Sequence, residues 1–336
     1  MSHPWNPPRF SVAPMMDRTD RHFRYLVRRI SRRALLYTEM VTADAVVHGD
    51  RQRLLGFDPC EHPVVLQLGG SDPATMAAAA RIGEAAGYDA ININVGCPSD
   101  RVRSGRFGAC LMLEPARVAE IYARMADAVS VPVTVKHRIG VDDRDRYEHM
   151  LEFVDTVASA GCRHFTIHAR KAWLSGLSPK QNRTIPPLRH AEVHRLKRER
   201  PHLWIETNGG IQDVAQAAEH LAHVDAVMVG RAVYDDPLRF SSVDHVLFGD
   251  PMREVDLFHV LAEMDAYARR FAGSPEEVRR IARHVMGLVT GRRGARAFRR
   301  ILGEHAFGPD PKPDAIGRAA FALARIGGRR AVVEAC

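Results

Sequence analysis

Apolar residues in this chain come in two rhythms: short runs of strand length, and longer stretches where they recur every three or four positions. Eight of the short runs read as β-strands: Phe10 to Met15, Leu35 to Met40, Val64 to Gly69, Ala90 to Gly96, Pro132 to Ile139, His164 to Arg170, Trp204 to Gly209 and Ala226 to Ala232. Most are β-branched or apolar throughout, as expected of strands covered on both faces. Between them, Asp72 to Ala86, Pro115 to Ala128, Tyr147 to Ala160, His190 to Arg200 and Gln212 to Leu221 have helical spacing. Asp72-Pro73 and Glu114-Pro115 each offer a cap ahead of a proline suited to the first turn. The alternation predicts an α/β fold, a (β/α)8 TIM barrel. An open doubly wound sheet is the second reading, disfavoured because no Gly-x-Gly-x-x-Gly follows the first strand.

A barrel of this class takes about 250 residues and leaves roughly 80 to 90 over. Past Pro251 the strands stop, and Val255 to Phe271, Pro275 to Thr290, Ala295 to Glu304 and Pro313 to Ile326 read as helices bounded by Gly or Pro. The expected organisation is a barrel over residues 1–250 and a smaller all-helical domain over 251–336. Charge sharpens the division. Residues 251–336 hold 16 Lys+Arg against 10 Asp+Glu, which is +6 of the chain's +8. No acidic residue occurs from Arg279 to Gly303, a stretch that contains Arg279, Arg280, Arg283, Arg292, Arg293, Arg296, Arg299 and Arg300. Arg292, Arg296, Arg299 and Arg300 follow three-and-four spacing and are expected on one helix face. Unbalanced charge of this kind fits a phosphate backbone, with a solvated helix face as the plain alternative.

The N-terminus is Pro-rich and polar, and no apolar run reaches the ~18 residues of a membrane span, so a cytoplasmic protein is expected. Cys60, Cys97, Cys110, Cys162 and Cys336 include no Cys-x-x-Cys pair, which argues against a zinc site or a disulfide framework.

Strand parity brings in the chemistry, because alternate side chains share a side. Gln67, Lys136 and His168 can then converge on the barrel mouth. A lysine inside an apolar strand needs an anionic partner, since an unpaired buried ammonium is costly. Asn208-Gly209-Gly210 and Gly230-Arg231 end the last two strands, where barrels of this class hold phosphate. A phosphate there, with Lys136, Gln67 and His168 over the mouth, suits flavin mononucleotide (FMN). The lysine would stabilise negative charge on the reduced ring, and Pro14, Met15 and Met16 would provide a soft bed for a flat group.

With these residues in place the chain resembles a known family. Ser11-Val12-Ala13-Pro14-Met15-Met16-Asp17, Tyr37-Thr38-Glu39-Met40, Leu66-Gln67-Leu68-Gly69-Gly70, Asn92-Ile93-Asn94-Val95-Gly96-Cys97-Pro98-Ser99, Val135-Lys136-His137-Arg138, Ile167-His168-Ala169-Arg170, Asn208-Gly209-Gly210 and Val229-Gly230-Arg231-Ala232 look like the tRNA-dihydrouridine synthases. Ser104-Gly105-Arg106-Phe107-Gly108-Ala109-Cys110 is most similar to the A subfamily. The resemblance implies reduction of the uridine 5,6 double bond in tRNA, at D-loop positions 20 and 20a, with NADPH reducing the flavin. It implies hydride delivery to carbon 6 and Cys97 as donor of a proton to carbon 5. An ordinary thiol, titrating near 8.5, still carries that proton at neutral pH. Cys110, beside apolar residues, is the second candidate acid. By the same resemblance, Asn94 contacts the substrate uridine, and Lys180 and Arg183, with Arg296 and Arg299 in the tail, orient the tRNA.

Two other functions compete. One is a flavin barrel acting on a free pyrimidine-like molecule, in the manner of a dihydroorotate dehydrogenase, which leaves the basic tail unexplained. The other is a non-catalytic tRNA-binding protein or chaperone, which leaves Gln67, Lys136, His168 and Cys97 unexplained. Arg18, Arg21 and Arg101 stay open between RNA contact and solvent.

Overall fold

A computed structural model describes residues 5–99 and 105–327; Arg101 and Ser104 lie outside them. Eight parallel strands close into a barrel in chain order. They are β1 (Phe10–Val12), β2 (Leu35–Thr42), β3 (Val64–Gly69), β4 (Ala90–Val95), β5 (Val133–Arg138), β6 (His164–His168), β7 (Trp204–Asn208) and β8 (Ala226–Val229). Closure is made by β1 against β8, with Ser11 opposite Met228 and Val12 opposite Val229. The predicted barrel is therefore present, and every predicted strand starts within one residue of its expected place. Several end earlier than expected. Beyond Val229 the chain enters the helix Arg231–Asp235 instead of extending the strand to Ala232.

The outward side chains explain closure. Leu66, Ile91, Ile93, Val135, Ile167, Ile205 and Val227 are fully buried. Each such side chain contributes about 1.5–3 kcal/mol when taken from water. Helices follow the strands, among them Pro73–Ala85, Pro115–Ala126, Tyr147–Ser159, His190–Glu199 and Val214–Leu221. Asp72 caps the first of these by accepting from Thr75 N. Glu114 does not act as expected: its backbone sits at φ −126° and ψ 62° and no side-chain cap bond forms. Its carboxylate instead faces Arg106 at 3.5 Å. At the N-terminal end of the barrel, Trp5, Pro7 and Pro8 line a cavity of about 10 Å³ with Tyr37, Thr166 and Glu206, and the Trp5 ring lies 5.1 Å from His164.

The chain divides into two compact units, one formed by Met1–Thr19 and Arg33–Gly230, the other by Asp20–Arg32 and Arg231–Cys336. The division thus falls at Gly230 rather than at 250, and the second unit takes in a helix from near the N-terminus, Arg21–Ile30. That helix carries four arginines, yet Phe23, Leu26, Val27 and Ile30 follow a one-sided spacing and are buried. Asp20 caps it by accepting from His22 N and Phe23 N. The same carboxylate meets Arg283 Nη2 at 2.6 Å and His284 Nε2 at 2.9 Å, on the helix Pro275–His284. Burial pushes Asp20 up, but the His284 bond, the His284 and His22 charges and the Phe23 N–H outweigh it and hold the carboxyl well below its ordinary range. Helices Leu257–Arg269, Ala295–Ala306 and Ala315–Gly327 complete the unit, close to their expected bounds.

Candidate active site

The barrel interior is unusually polar. One row carries Asn94, Lys136, Thr166 and Glu206, which are register partners across β4 to β7. The row beneath carries Gln67, Asn92 and Thr134. These amides and hydroxyls satisfy one another: Gln67 Nε2 donates to Asn92 Oδ1, Asn92 Nδ2 to Thr134 Oγ1 and Asn94 Nδ2 to Gln67 Oε1, each at 2.8 Å. A hydrogen-bonded series of this kind fixes side-chain directions in a way that a packed apolar core does not.

Lys136 has the partners its burial demands. Its Nζ donates to Asn208 Oδ1 at 3.2 Å, and Asn208 Nδ2 donates to Met228 O. Burial and Arg138 push the Lys136 ammonium down to about 8, against the opposing influence of Glu206 and Cys97. Glu206 is the buried carboxyl whose charge supports that ammonium. Its two oxygens accept from Ser11 and Thr166 at 2.6 and 2.5 Å, and burial raises its carboxyl above the ordinary range. Glu206 was not among the expected residues: its parity marks it as interior, but its partners Ser11 and Thr166 lie on two other strands.

Cys97 is presented by the turn after β4. Asn94 Oδ1 accepts from both Gly96 N (3.1 Å) and Cys97 N (3.0 Å), folding the chain back on the strand end, and Cys97 O accepts from Ala109 N at 2.9 Å. The thiol is free and partly exposed, with Sγ 3.5 Å from Ser99 Oγ. Asn94 is 8 % exposed and spends both lone pairs of Oδ1 on this turn, which leaves one Nδ2 hydrogen for any other partner. Arg138 reinforces the loop: Nε donates to Gly96 O at 2.8 Å, and Nη1 donates to Lys171 O and Asn182 O at 3.0 Å. This one guanidinium ties the Cys97 turn to the segment that holds Lys180 and Arg183. Burial lowers Arg138 to about 10, which still leaves it cationic at neutral pH, and Cys97 acts in the opposite direction.

Two glycines follow β7, where an anion cradle is expected. Gly209 and Gly210 have φ of +118° and +76°, the region that disfavours side chains. A Cβ on Gly209 would come within 2.8 Å of His168 Cδ2, and one on Gly210 would strike Leu188. The missing side chains thus let the His168 ring and the cradle backbone share one place. At the end of β8, Gly230 faces Ala13 and Met15, each at 3.4 Å from a hypothetical Cβ. Met15 is partly buried against the interior cluster, whereas Met16 is 48 % exposed, so the expected bed is half-open. Pro14 stands between them and Ala13, and Arg231 follows Gly230 as the first residue of the second unit.

Comparison with known proteins gives the family. Residues 11–319 match the family model described as dihydrouridine synthase. The chain belongs to the dihydrouridine synthase family. It is an enzyme, and the family is one of flavin-dependent oxidoreductases. It is 55 % identical to a tRNA-dihydrouridine(20/20a) synthase of Synechocystis sp. over 294 residues, 88 % of each chain. The protein of that name from Escherichia coli is 53 % identical over 299 residues, 89 % of this chain and 86 % of its own. That from Pseudomonas aeruginosa is 51 % identical over 294 residues, covering 88 % of this chain and 89 % of its own.

The remaining expected residues of this dihydrouridine synthase family member lie on surfaces, and each unit has its own pair. In the barrel unit, Lys180 precedes and Arg183 ends the short 3-10 turn Gln181–Arg183 after β6, and both are exposed. In the other unit, Arg296 and Arg299 are exposed on the helix Ala295–Ala306, whose opposite face buries Phe298 and Leu302. Two expectations about this stretch need correction. Arg292 precedes that helix, separated by Gly294 at φ +90°, and so does not share its face. The stretch is also partly balanced from outside itself: Arg280 pairs with Glu276 and Glu277, Arg283 with Asp20, and Arg300 with Glu304. For Arg293, Arg296 and Arg299 no ion pair occurs among the described residues.

Proposed function

We propose that this enzyme reduces the 5,6 double bond of uridine in the D-loop of tRNA, at positions 20 and 20a, with FMN as its cofactor and NADPH as the reductant. The observation that carries the reading is the pair of hydrogen bonds that Gly96 N and Cys97 N donate to Asn94 Oδ1. It holds a free thiol on the turn directly above the row containing Lys136. The names of the relatives supply the substrate class.

The residues present fit FMN. The backbone at Gly209 and Gly210, with φ of +118° and +76°, is the assigned place for the phosphate, and Lys136 supplies a cation held by Asn208 beside it. Gln67 carries its amide in the row beneath Lys136, and we assign His168, Pro14, Met15, Met16 and Gly230 to the walls of the same cofactor site. When bound, FMN supplies the hydride for uracil carbon 6, and NADPH replenishes it.

The chain's own task is the other half of the reduction. As the 5,6 double bond takes up hydride, negative charge develops at carbon 5, and the Cys97 Sγ–H bond breaks to deliver a proton there. The charge left on sulfur lies within the electrostatic reach of Lys136 and Arg138, the two cations on which Cys97 acts. Asn94 and Arg138 hold the turn so that the thiol has one approach. A uridine must leave its stack to enter a barrel mouth. Lys180 and Arg183 on one unit, and Arg296 and Arg299 on the other, supply phosphate-directed charge for the tRNA that carries it. Mass spectrometry of unmodified tRNA incubated with enzyme, FMN and NADPH tests the reading. Dihydrouridine at positions 20 and 20a is expected, and its absence from flavin-loaded enzyme would refute it.

A further inference from the structure

His190 stands on the outer side of the barrel, at the first turn of the helix His190–Glu199. Both ring nitrogens are engaged with the strand that bears the cradle: Nε2 lies 2.8 Å from Gly209 O and Nδ1 lies 2.9 Å from Thr207 Oγ1. A carbonyl only accepts, so Nε2 carries the hydrogen, and Nδ1 is left to accept from the Thr207 hydroxyl. Thr207 is fully buried and alternates with Glu206 and Asn208, which point into the barrel. The imidazole therefore bridges the outer face of β7 and the loop that follows it.

The Gly209 carbonyl and the Gly210 N–H belong to one planar trans peptide, and the two groups point in opposite directions. Holding that oxygen outward, toward the helix, turns the Gly210 N–H away from the helix. The positive φ at both glycines gives this peptide more freedom than an ordinary one, so its direction needs an external restraint. His190 is the side chain that provides it. We propose that His190 is a positioning residue for the anion cradle, fixing the Gly209–Gly210 peptide so that its N–H serves the terminal phosphate of the cofactor. This rests on the FMN reading above.

The surroundings keep the ring in the form this task needs. The His220 ring lies tilted at 4.3 Å from His190, His194 Nε2 lies 3.2 Å from His220 Nδ1, and His223 stacks on His194 at 4.6 Å. A second proton on His190 would face this column and Arg170. Burial and His220 lower His190 to about 4 despite the Gly209 carbonyl, so the restraint persists unchanged through neutral pH.

The test compares dissociation constants for FMN and for riboflavin, which lacks the phosphate, by quenching of flavin fluorescence. His190→Phe keeps the ring volume and removes both polar atoms, and His190→Gln returns a donor at the position of Nε2. For His190→Phe we expect FMN binding to weaken about 10- to 100-fold, the range for loss of one or two charge-linked hydrogen bonds, with riboflavin affinity unchanged. His190→Gln should recover part of the loss. Equal weakening of both flavins, or of neither, would overturn the positioning role. Should His190→Phe fail to fold, Thr207→Val removes the other anchor of the ring and should show the same FMN-selective loss to a smaller degree. A wild-type enzyme that binds riboflavin as tightly as FMN would refute the cradle itself, which separates failure of the parent reading from failure of this one.

Discussion

Lys136 on β5 and Asn208 on β7 meet across β6, Nζ to Oδ1 at 3.2 Å, and so join the middle of the barrel to the anion cradle. The lysine is cationic below about 8 and neutral above it, because burial and Arg138 disfavour its charge more than Glu206 and Cys97 support it. If that charge serves the reduced flavin, the rate of NADPH-dependent flavin reduction should fall as pH rises through 8. Lys136→Met should be slower below pH 8, should lack this alkaline limb and should converge with wild type above it. Glu206→Gln removes the carboxylate that favours the ammonium and should move the limb to lower pH. A pH profile from 6 to 9.5 on the three proteins decides the matter, and an identical alkaline limb in Lys136→Met would refute the assignment.

Cys97 and Cys110 give opposite expectations. Cys97 is free on the Asn94-held turn, and Cys110 lies in the 3-10 segment Gly108–Leu113 among buried Ala109, Leu111 and Met112. Cys97→Ala should lower dihydrouridine formation by about 10²- to 10⁴-fold, the usual loss for a general acid. Cys110→Ser should remain within roughly tenfold of wild type. Single-turnover assays with pre-reduced enzyme isolate the proton-transfer step, and the reverse order of effects would make Cys110 the donor.

Arg138 buries its guanidinium at 3 % exposure and spends it on three carbonyls of two loops. Arg138→Met keeps the stem and frees Gly96 O, Lys171 O and Asn182 O. Unpaired buried acceptors cost about 1–3 kcal/mol each, offset by water that can enter from the mouth. The expected outcome is a fall in product formation with FMN affinity little changed, and faster amide hydrogen exchange in both 96–99 and 171–184. Faster exchange in only one of the two segments would refute the coupling of the loops.

The strands and their order were readable because parity and apolar runs are local signals. Three things were not. Glu206 needed the knowledge that β7 faces its carboxylate toward Ser11 and Thr166, two other strands. The helix Arg21–Ile30 was hidden by its arginines, since its four buried apolar residues are outvoted in any short window. The ion pairs of Arg280, Arg283 and Arg300 escaped because their carboxylates lie just beyond the acid-free stretch or, for Asp20, more than two hundred residues away. Sequence proximity measures charge balance poorly when helices fold back on one another.

That correction narrows the candidates for tRNA contact. Arg280, Arg283 and Arg300 are committed within the second unit, whereas Arg296 and Arg299 are exposed and form no ion pair among the described residues. Arg296→Ala and Arg299→Ala should each weaken tRNA binding and reduce the slope of log affinity against log salt by about 1. Lys180→Ala should do the same from the barrel unit. Arg300→Ala should change the slope less, because Glu304 already neutralises it. Filter binding across a series of salt concentrations measures all four, and equal slopes for Arg296→Ala and wild type would remove that residue from the interface.

Acid stability offers a check on the barrel that is independent of any ligand. His137 is fully buried between Phe153 and Phe165, whose rings lie 4.8 and 5.9 Å away, with Nδ1 2.7 Å from Arg138 O. Burial is the main cause of a fall to about 4, partly opposed by the Arg138 carbonyl and reinforced by Lys136. The unfolded chain protonates this histidine near 6.5, so its contribution is fully present above that pH and is lost progressively as pH falls from 6.5 toward 4. Between pH 7 and pH 5 this linkage amounts to roughly 1–2 kcal/mol. His190 and His194, also lowered to about 4, add losses of the same sign. His137→Phe cannot protonate. Whatever the phenyl ring costs or adds in packing is the same at both pH values, so the comparison within the variant cancels it. The fall in unfolding free energy from pH 7 to pH 5, measured by urea denaturation, should therefore be smaller in His137→Phe than in wild type by that amount. An unchanged difference would mean that His137 gains its proton in the folded barrel as readily as in the unfolded chain, contrary to its enclosure between the two phenylalanines.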